Sequence, residues 1–210
     1  LAAFHRGIPV VHLEAGLRTF DKNNPYPEEF NRCAISALAD IHLCPTISAM
    51  QNLKMSLGKN INAHVVGNTV LDNLSGYPAS VEDFVLVTMH RRENHDNIKE
   101  WFTAINNVAK SSSLSFILPL HPNPNVVKFS HLLTHVEVID PLPYDTCIDM
   151  VSKCKFLITD SGGLQEESSF FGKRCIVCRR VSERTEGIGD FAFMCPEPKD
   201  LESLYDCVSN

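Results

Sequence analysis

Short apolar runs recur along this chain, at residues 8–11, 41–44, 63–66, 84–88, 114–119, 136–139, 156–159 and 175–178. They are rich in Val, Ile and Leu and leave no polar face, which is the pattern of strands buried on both sides. Longer amphipathic stretches lie between them, near residues 27–39, 48–57, 97–109, 144–153, 163–171 and 199–208, and their spacing predicts helices. Strand and helix in alternation predict an α/β fold of two Rossmann-like domains with parallel sheets facing a cleft. The irregular stretch GYPAS, residues 76–80, separates two such series and reads as a linker. It places the C-terminal part of a first domain at 1–80 and a second domain at 81–210. The opening Leu1-Ala2-Ala3-Phe4 reads as the end of a helix feeding the first strand, so the first domain is expected to be incomplete.

Composition removes several function classes. With 19 Lys and Arg against 25 Asp and Glu, the formal charge of −6 gives no basic excess for a nucleic-acid surface. An anionic ligand must then be held by local groups. Hydrophobic residues at 44% and charged residues at 21% are those of an ordered globular protein. No apolar run approaches the ~18 residues of a membrane span. The eight cysteines are scattered. Cys175 and Cys178 have a metal-site spacing, but no second pair or matching His pair lies nearby, so they read as small hydrophobes in a strand. No metal is expected. Reduced thiols without a secretory leader point to the cytoplasm.

In open α/β sheets ligands bind beyond the carboxyl ends of strands, and the polar clusters fall there. After the run at 156–159 comes TDSGGLQEE, residues 159–167. Ser161 can cap the following helix, while Gly162 and Gly163 let a ligand approach free backbone N–H groups, an anion site suited to phosphate. Glu167, one turn on from Gly163, suits the paired hydroxyls of a ribose. The other reading is an ordinary capped helix with a solvated Glu pair. After the run at 84–88 come His90, Arg91 and Arg92. Arginines pair with a diphosphate in bidentate geometry and His90 can act as acid or base, against the alternative of a surface charge cluster. The stiff loop HPNPN, residues 121–125, either presents His121 to a ligand or simply ends a strand.

Glu14 follows the first apolar run and is expected to be partly desolvated, whereas for Glu28 and Glu29 in a first helical turn the alternative reading is that they simply satisfy the dipole. Several carboxylates around one cleft separate one another's proton affinities into a donor and an acceptor. Arg184, in the charged run after residue 178, is placed to reach the same phosphate region as Ser161, against the alternative of a solvated charge run.

Taken in order, the motifs HLEAGLRT (12–19), PEEFNR (27–32), GNTVLDNL (67–74), VTMHRREN (87–94), PLHPNPNV (119–126), TDSGGLQEE (159–167) and SERTEG (182–187) resemble those of the non-hydrolysing UDP-N-acetylglucosamine 2-epimerases, the bacterial type of glycosyltransferase-B architecture. The resemblance implies reversible conversion of UDP-N-acetylglucosamine to UDP-N-acetylmannosamine by UDP elimination and re-addition. It implies no cofactor, a UDP-sugar substrate, and a homodimer. It assigns Glu14, Glu28 and His90 to proton transfer or support of the reacting sugar. Arg91, His121, Ser161, Gly162, Gly163, Glu167 and Arg184 fall to the UDP side, and residues 141–144 to the neighbourhood of the uracil. The family's first strand with its Gly-Thr-Arg-Pro-Glu loop, a catalytic Asp expected just before Leu1, and a closing C-terminal helix are missing, so the chain reads as truncated. HRREN lacks the Gly that usually follows it, and SERTE stands in place of TERPE. Two rivals remain: a glycosyltransferase of the same architecture using a UDP-sugar, and a nucleotide-sugar-binding remnant without catalysis.

Overall fold

A computed structural model describes residues 1–185 and 187–209. The chain divides into two compact units, Leu1–Asn73 and Leu74–Asn210.

The first unit holds a parallel sheet in the order β1 (Val11–Leu13), β2 (Ile41–Cys44), β3 (Ala63–Val65), with helices α1 (Ala2–His5), α2 (Glu28–Leu38), α3 (Ile47–Leu57) and α4 (Thr69–Asp72). The first strand begins later than the apolar run at 8–11 suggests. Val10 donates its N–H to the Asp40 carboxylate at 2.8 Å, and its carbonyl accepts from Asp40 and Ile41. The ladder therefore starts where Val11 pairs with Ile41. Helix α3 is closed at both ends, by the Thr46 hydroxyl accepting from Ala49 N–H and by Gly58 at φ +94°. Its Ala49 and Leu53 pack with Ala15, Leu17 and Cys44 into a small core.

The second unit holds β4 (Phe84–Thr88), β5 (Ser115–Pro119), β6 (Glu137–Ile139), β7 (Phe156–Thr159), β8 (Cys175–Val177) and β9 (Ala192–Met194). Every neighbouring pair is parallel, in the order β6-β5-β4-β7-β8-β9. Helices α5 (Ile98–Ser111), α6 (Pro124–Val127), α7 (Tyr144–Lys153), α8 (Gly162–Phe170) and α9 (Leu201–Ser209) complete it. The two-sided burial expected of these strands is present in β4, β7 and β8, whereas β5 alternates and the edge strand β6 is largely exposed because it has a neighbour on one side alone. Val85, Val87 and Met89 join one core with Trp101, Phe102 and Ile105 of α5, while Phe84 and Leu86 join the other with Val151 of α7. Cys175 and Cys178 lie fully buried, one in each core, and burial pushes the Cys175 thiol up to about 11. They serve as strand packing. Residues 76–80 are tied into this unit: Tyr77 donates to Asp145, Ser80 N–H to Ser152 O, and Lys173 Nζ to Ser80 O.

Candidate functional site

In the second unit the chain winds outward from β4 to β6 on one side and from β7 to β9 on the other, so β4 and β7 flank the reversal. Their carboxyl ends form the position where doubly wound sheets accept ligands. Thr88 and Thr159 are register partners there, with hydroxyl oxygens 2.6 Å apart in the interior. Thr159 Oγ1 also accepts from Ser161 N–H at 2.9 Å, which turns the chain out of β7 toward α8.

The two loops that leave these strands are joined by Asp160, which is fully buried. Its carboxylate accepts from His90 N–H at 3.1 and 3.0 Å to its two oxygens, from Arg91 N–H at 2.8 Å and from Asn94 Nδ2 at 3.1 Å. Asn94 also donates to Cys178 O, drawing in the end of β8. His90 stacks on His121 with ring centroids 5.9 Å apart and planes at 27°. Within the HPNPN loop, Asn123 N–H donates to His121 Nδ1 at 3.2 Å. Burial holds the His90 imidazole below its ordinary value. Asp160 opposes that, while Arg91, His121 and His95 reinforce it.

On the β7 side, the Ser161 hydroxyl accepts from Leu164 N–H at 3.4 Å, as a cap should. A Cβ on Gly162 would lie 2.8 Å from Arg184 Nη1, so glycine there admits the guanidinium against the first turn of α8. Arg184 pairs with Glu166 at 2.8 Å and donates to Glu183 at 2.7 Å. Its backbone is fixed by Gln165, whose side chain donates to Arg184 O at 2.9 Å. Arg179 is enclosed between Glu93 and Glu183 at 2.9 and 3.0 Å. Glu167 is buried and accepts from the Tyr144 hydroxyl at 2.7 Å. Burial raises its carboxyl above the usual range, and Tyr144 acts in the opposite direction. Residue 186 of the SERTEG motif lies outside the described residues.

The structure therefore gathers His90, Arg91 and His121 through Asp160 and ring stacking, and gathers Gly162 and Arg184 around the start of α8. Asp160, Asn94, Gln165 and Arg179 had no role in the sequence reading. Their partners lie between 4 and 86 residues away, and no local pattern marks them. Among the described residues no group of three or more His, Cys, Asp or Glu gathers into a metal-ligand set.

In the first unit Glu14 is half-buried in the turn after β1, with φ +56°. Ala15 N–H donates to Leu43 O at 2.9 Å and Asn52 Nδ2 to Gly16 O at 3.0 Å, which pins that turn to β2 and α3. Glu28 stands exposed at the first position of α2, while its neighbour Glu29 is buried and accepts from Phe20 N–H at 3.1 Å. Buried Arg18 donates to Leu17 O and to Ser36 Oγ at 2.8 and 2.7 Å.

Beside that guanidinium the rings of His12 and His42 lie 6.2 Å apart. Burial first, then His42, Arg18 and Arg32, push the His12 imidazole down to about 4. The unfolded chain takes up this proton near pH 6.5 and the folded chain does not until about pH 4. Between those values the unfolded state binds more protons, so stability falls as pH falls. After discounting for solvent screening, the expected loss between pH 7 and 4 is about 1–2 kcal/mol. Urea unfolding of the wild-type chain and of His12→Gln at both pH values checks it: the variant should lose less stability on acidification.

These features define a Rossmann-type α/β protein whose main polar cluster lies where such sheets take nucleotides. The family model described as UDP-N-acetylglucosamine 2-epimerase matches residues 1–208, and the chain belongs to that family. It is 38% identical to the UDP-N-acetylglucosamine 2-epimerase of Campylobacter jejuni, over 90% of this chain and 57% of that protein. It is also 38% identical to the Bacillus subtilis enzyme of the same name, over 90% of this chain and 54% of that one. The chain thus spans somewhat more than half the length of the curated relatives it matches. Among solved structures, the Neisseria meningitidis UDP-GlcNAc 2-epimerase bound to UDP-GlcNAc superposes with a TM-score of 0.89 at 34% identity, over 98% of this chain and 62% of that one. An Escherichia coli heptosyltransferase with ADP, 12% identical with a TM-score of 0.52 over 84% of this chain and 62% of that one, shares the fold.

Proposed function

We propose that the protein of which this chain is a part interconverts UDP-N-acetylglucosamine and UDP-N-acetylmannosamine. The observation that carries this reading is the cluster at the switch point, where His90, Arg91, His121 and the start of α8 stand on a sheet whose solved relatives bind UDP-GlcNAc. The C1–O bond to the diphosphate breaks as the C2 proton passes to a base, leaving UDP and 2-acetamidoglucal. UDP then re-adds at C1 while a proton is delivered to the opposite face of C2.

On this reading Ser161, Gly162, Gly163, Arg91, Arg184 and His121 hold the diphosphate and Glu167 the ribose. Fixed guanidinium groups and backbone dipoles stabilise charge that grows on the leaving group. Glu14 and Glu28 serve the C2 proton, which turns acidic as C1 gains oxocarbenium character, and His90 assists. Arg184 is balanced between Glu166 and Glu183, so binding UDP recruits a guanidinium already desolvated on one side. Polysaccharide biosynthesis in the cytoplasm by a homodimer belongs to the same proposal. Among the described residues no helix is long and apolar enough to cross a membrane.

The test is incubation of the full-length protein with UDP-GlcNAc alone in D₂O. Deuterium at C2 and appearance of the manno epimer are expected. Bound but unexchanged sugar overturns the reading and favours a transferase that awaits an acceptor.

A further inference from the structure

The proposed chemistry gives no task to Asp160, although its carboxylate is fully enclosed at the switch point. A buried charge persists when it is paired and hydrogen-bonded, and here the donors come from one short segment. His90 N–H, Arg91 N–H and Asn94 Nδ2 all donate to it. The fourth neighbour is the His90 ring itself, with Nδ1 3.4 Å from Oδ1. Simple cross-linking of β4 to β7 does not explain this arrangement, because Thr88 and Thr159 already join those strand ends. The imidazole is flanked by Asp160 on one side and stacked on His121 on the other.

We propose that Asp160 is a positioning residue for His90: its carboxylate accepts from Nδ1–H, fixes the tautomer, and leaves Nε2 as the ring nitrogen that meets the substrate. The proposal rests on the reading of His90 as part of the catalytic set. The other nitrogen of a working imidazole commonly determines which atom is presented in this way. The charged and titratable groups around His90 are Asp160, Arg91, His121 and His95, and of these Asp160 alone favours the imidazolium. Removing its charge leaves burial and three cationic or titratable neighbours, all acting to lower proton affinity.

Asp160→Asn keeps the shape but places an amide where the carboxylate was. With its oxygen turned to the backbone N–H groups, the amide NH₂ faces Nδ1 and drives the ring proton to Nε2. The experiment is long-range ¹H–¹⁵N spectroscopy of histidine-labelled full-length protein, with His90→Gln to identify the signals. Wild type should show the Nδ1–H tautomer for neutral His90, and Asp160→Asn the Nε2–H form with a lower titration midpoint. In the C2 exchange assay the variant should lose about 10²-fold in kcat, the low end of what positioned proton transfer supplies, with KM within roughly threefold. Wild-type His90 found as Nε2–H overturns the proposal by itself, even if the variant does not fold. An unchanged tautomer and midpoint in a folded Asp160→Asn overturns it equally. If wild type shows Nδ1–H but never exchanges C2, the epimerase reading fails while the Asp160–His90 coupling stands.

Discussion

Glu14→Gln in the full-length protein is expected to lower C2 deuterium exchange by about 10²–10⁴-fold, the range that positioned acid–base catalysis contributes. Gln keeps the volume and the hydrogen-bonding oxygen but cannot accept the proton. The turn that carries it is anchored by groups the substitution leaves alone: Ala15 N–H on Leu43 O and Asn52 on Gly16 O. The backbone at φ +56° is retained because those anchors fix it. UDP is assigned to the second unit, so its affinity by calorimetry should change by less than roughly threefold, under 1 kcal/mol. Exchange near the wild-type rate removes Glu14 from the mechanism. Because groups acting on one proton work as a unit, adding Glu28→Gln should cost far less than the product of the single effects.

Gly16→Ala is expected to be the most damaging small substitution in the first unit. The residue sits at φ +90°, and an added Cβ would lie 2.0 Å from Ala49 O and 2.6 Å from Ala49 C. Both are backbone atoms inside α3, and Leu53 Cγ at 3.1 Å closes the third side. The left-handed conformation costs an L side chain about 1–2 kcal/mol and overpacking a further 1–3 kcal/mol. For a chain of this size that is a fall in Tm of roughly 10 °C. Scanning calorimetry decides it; a Tm within about 2 °C of wild type would mean that α3 slides freely, contrary to its two capped ends. Gly162→Ala makes a useful contrast. The atom it meets is the far end of the Arg184 side chain, which can swing away, so stability should hold while UDP affinity drops.

How much of this was legible in the sequence depends on how local each signal is. Strands β4, β7 and β8 could be read because every residue in them is buried and most are Val, Ile, Leu or Phe, and β5 because of its Phe116-Ile117-Leu118 run. Strand β9, with Ala192, Phe193 and Met194, has no β-branched residue and escaped notice. It is a strand because β8 offers it an open edge. The start of β1 was misplaced because Ile8 looks like core but is exposed, and Val10 spends its N–H on Asp40. In the candidate site, glycines, caps and paired arginines announce themselves within a few residues. Asp160 does not: between a Thr and a Ser it looks like one more capping residue, and its meaning comes from His90, 70 positions earlier. Its neighbour Asn94 similarly has a partner 84 positions away. Charges that balance across loops are tertiary facts, and a motif search passes over them.

The reversal of strand order between β4 and β7 also governs when the site can come into being. Strands β4, β5 and β6 with α5 form a contiguous stretch that can consolidate early, since few residues separate the pieces that touch. The strand that pairs with the other edge of β4 is β7, after a detour through all of them, and the closure entropy of that detour must be met first. A ribosome that has released the chain only as far as Lys155 therefore presents His90 and Arg91 without the carboxylate that accepts from their N–H groups. Ligand-binding competence should appear abruptly, once β7 and the first turn of α8 have emerged and docked.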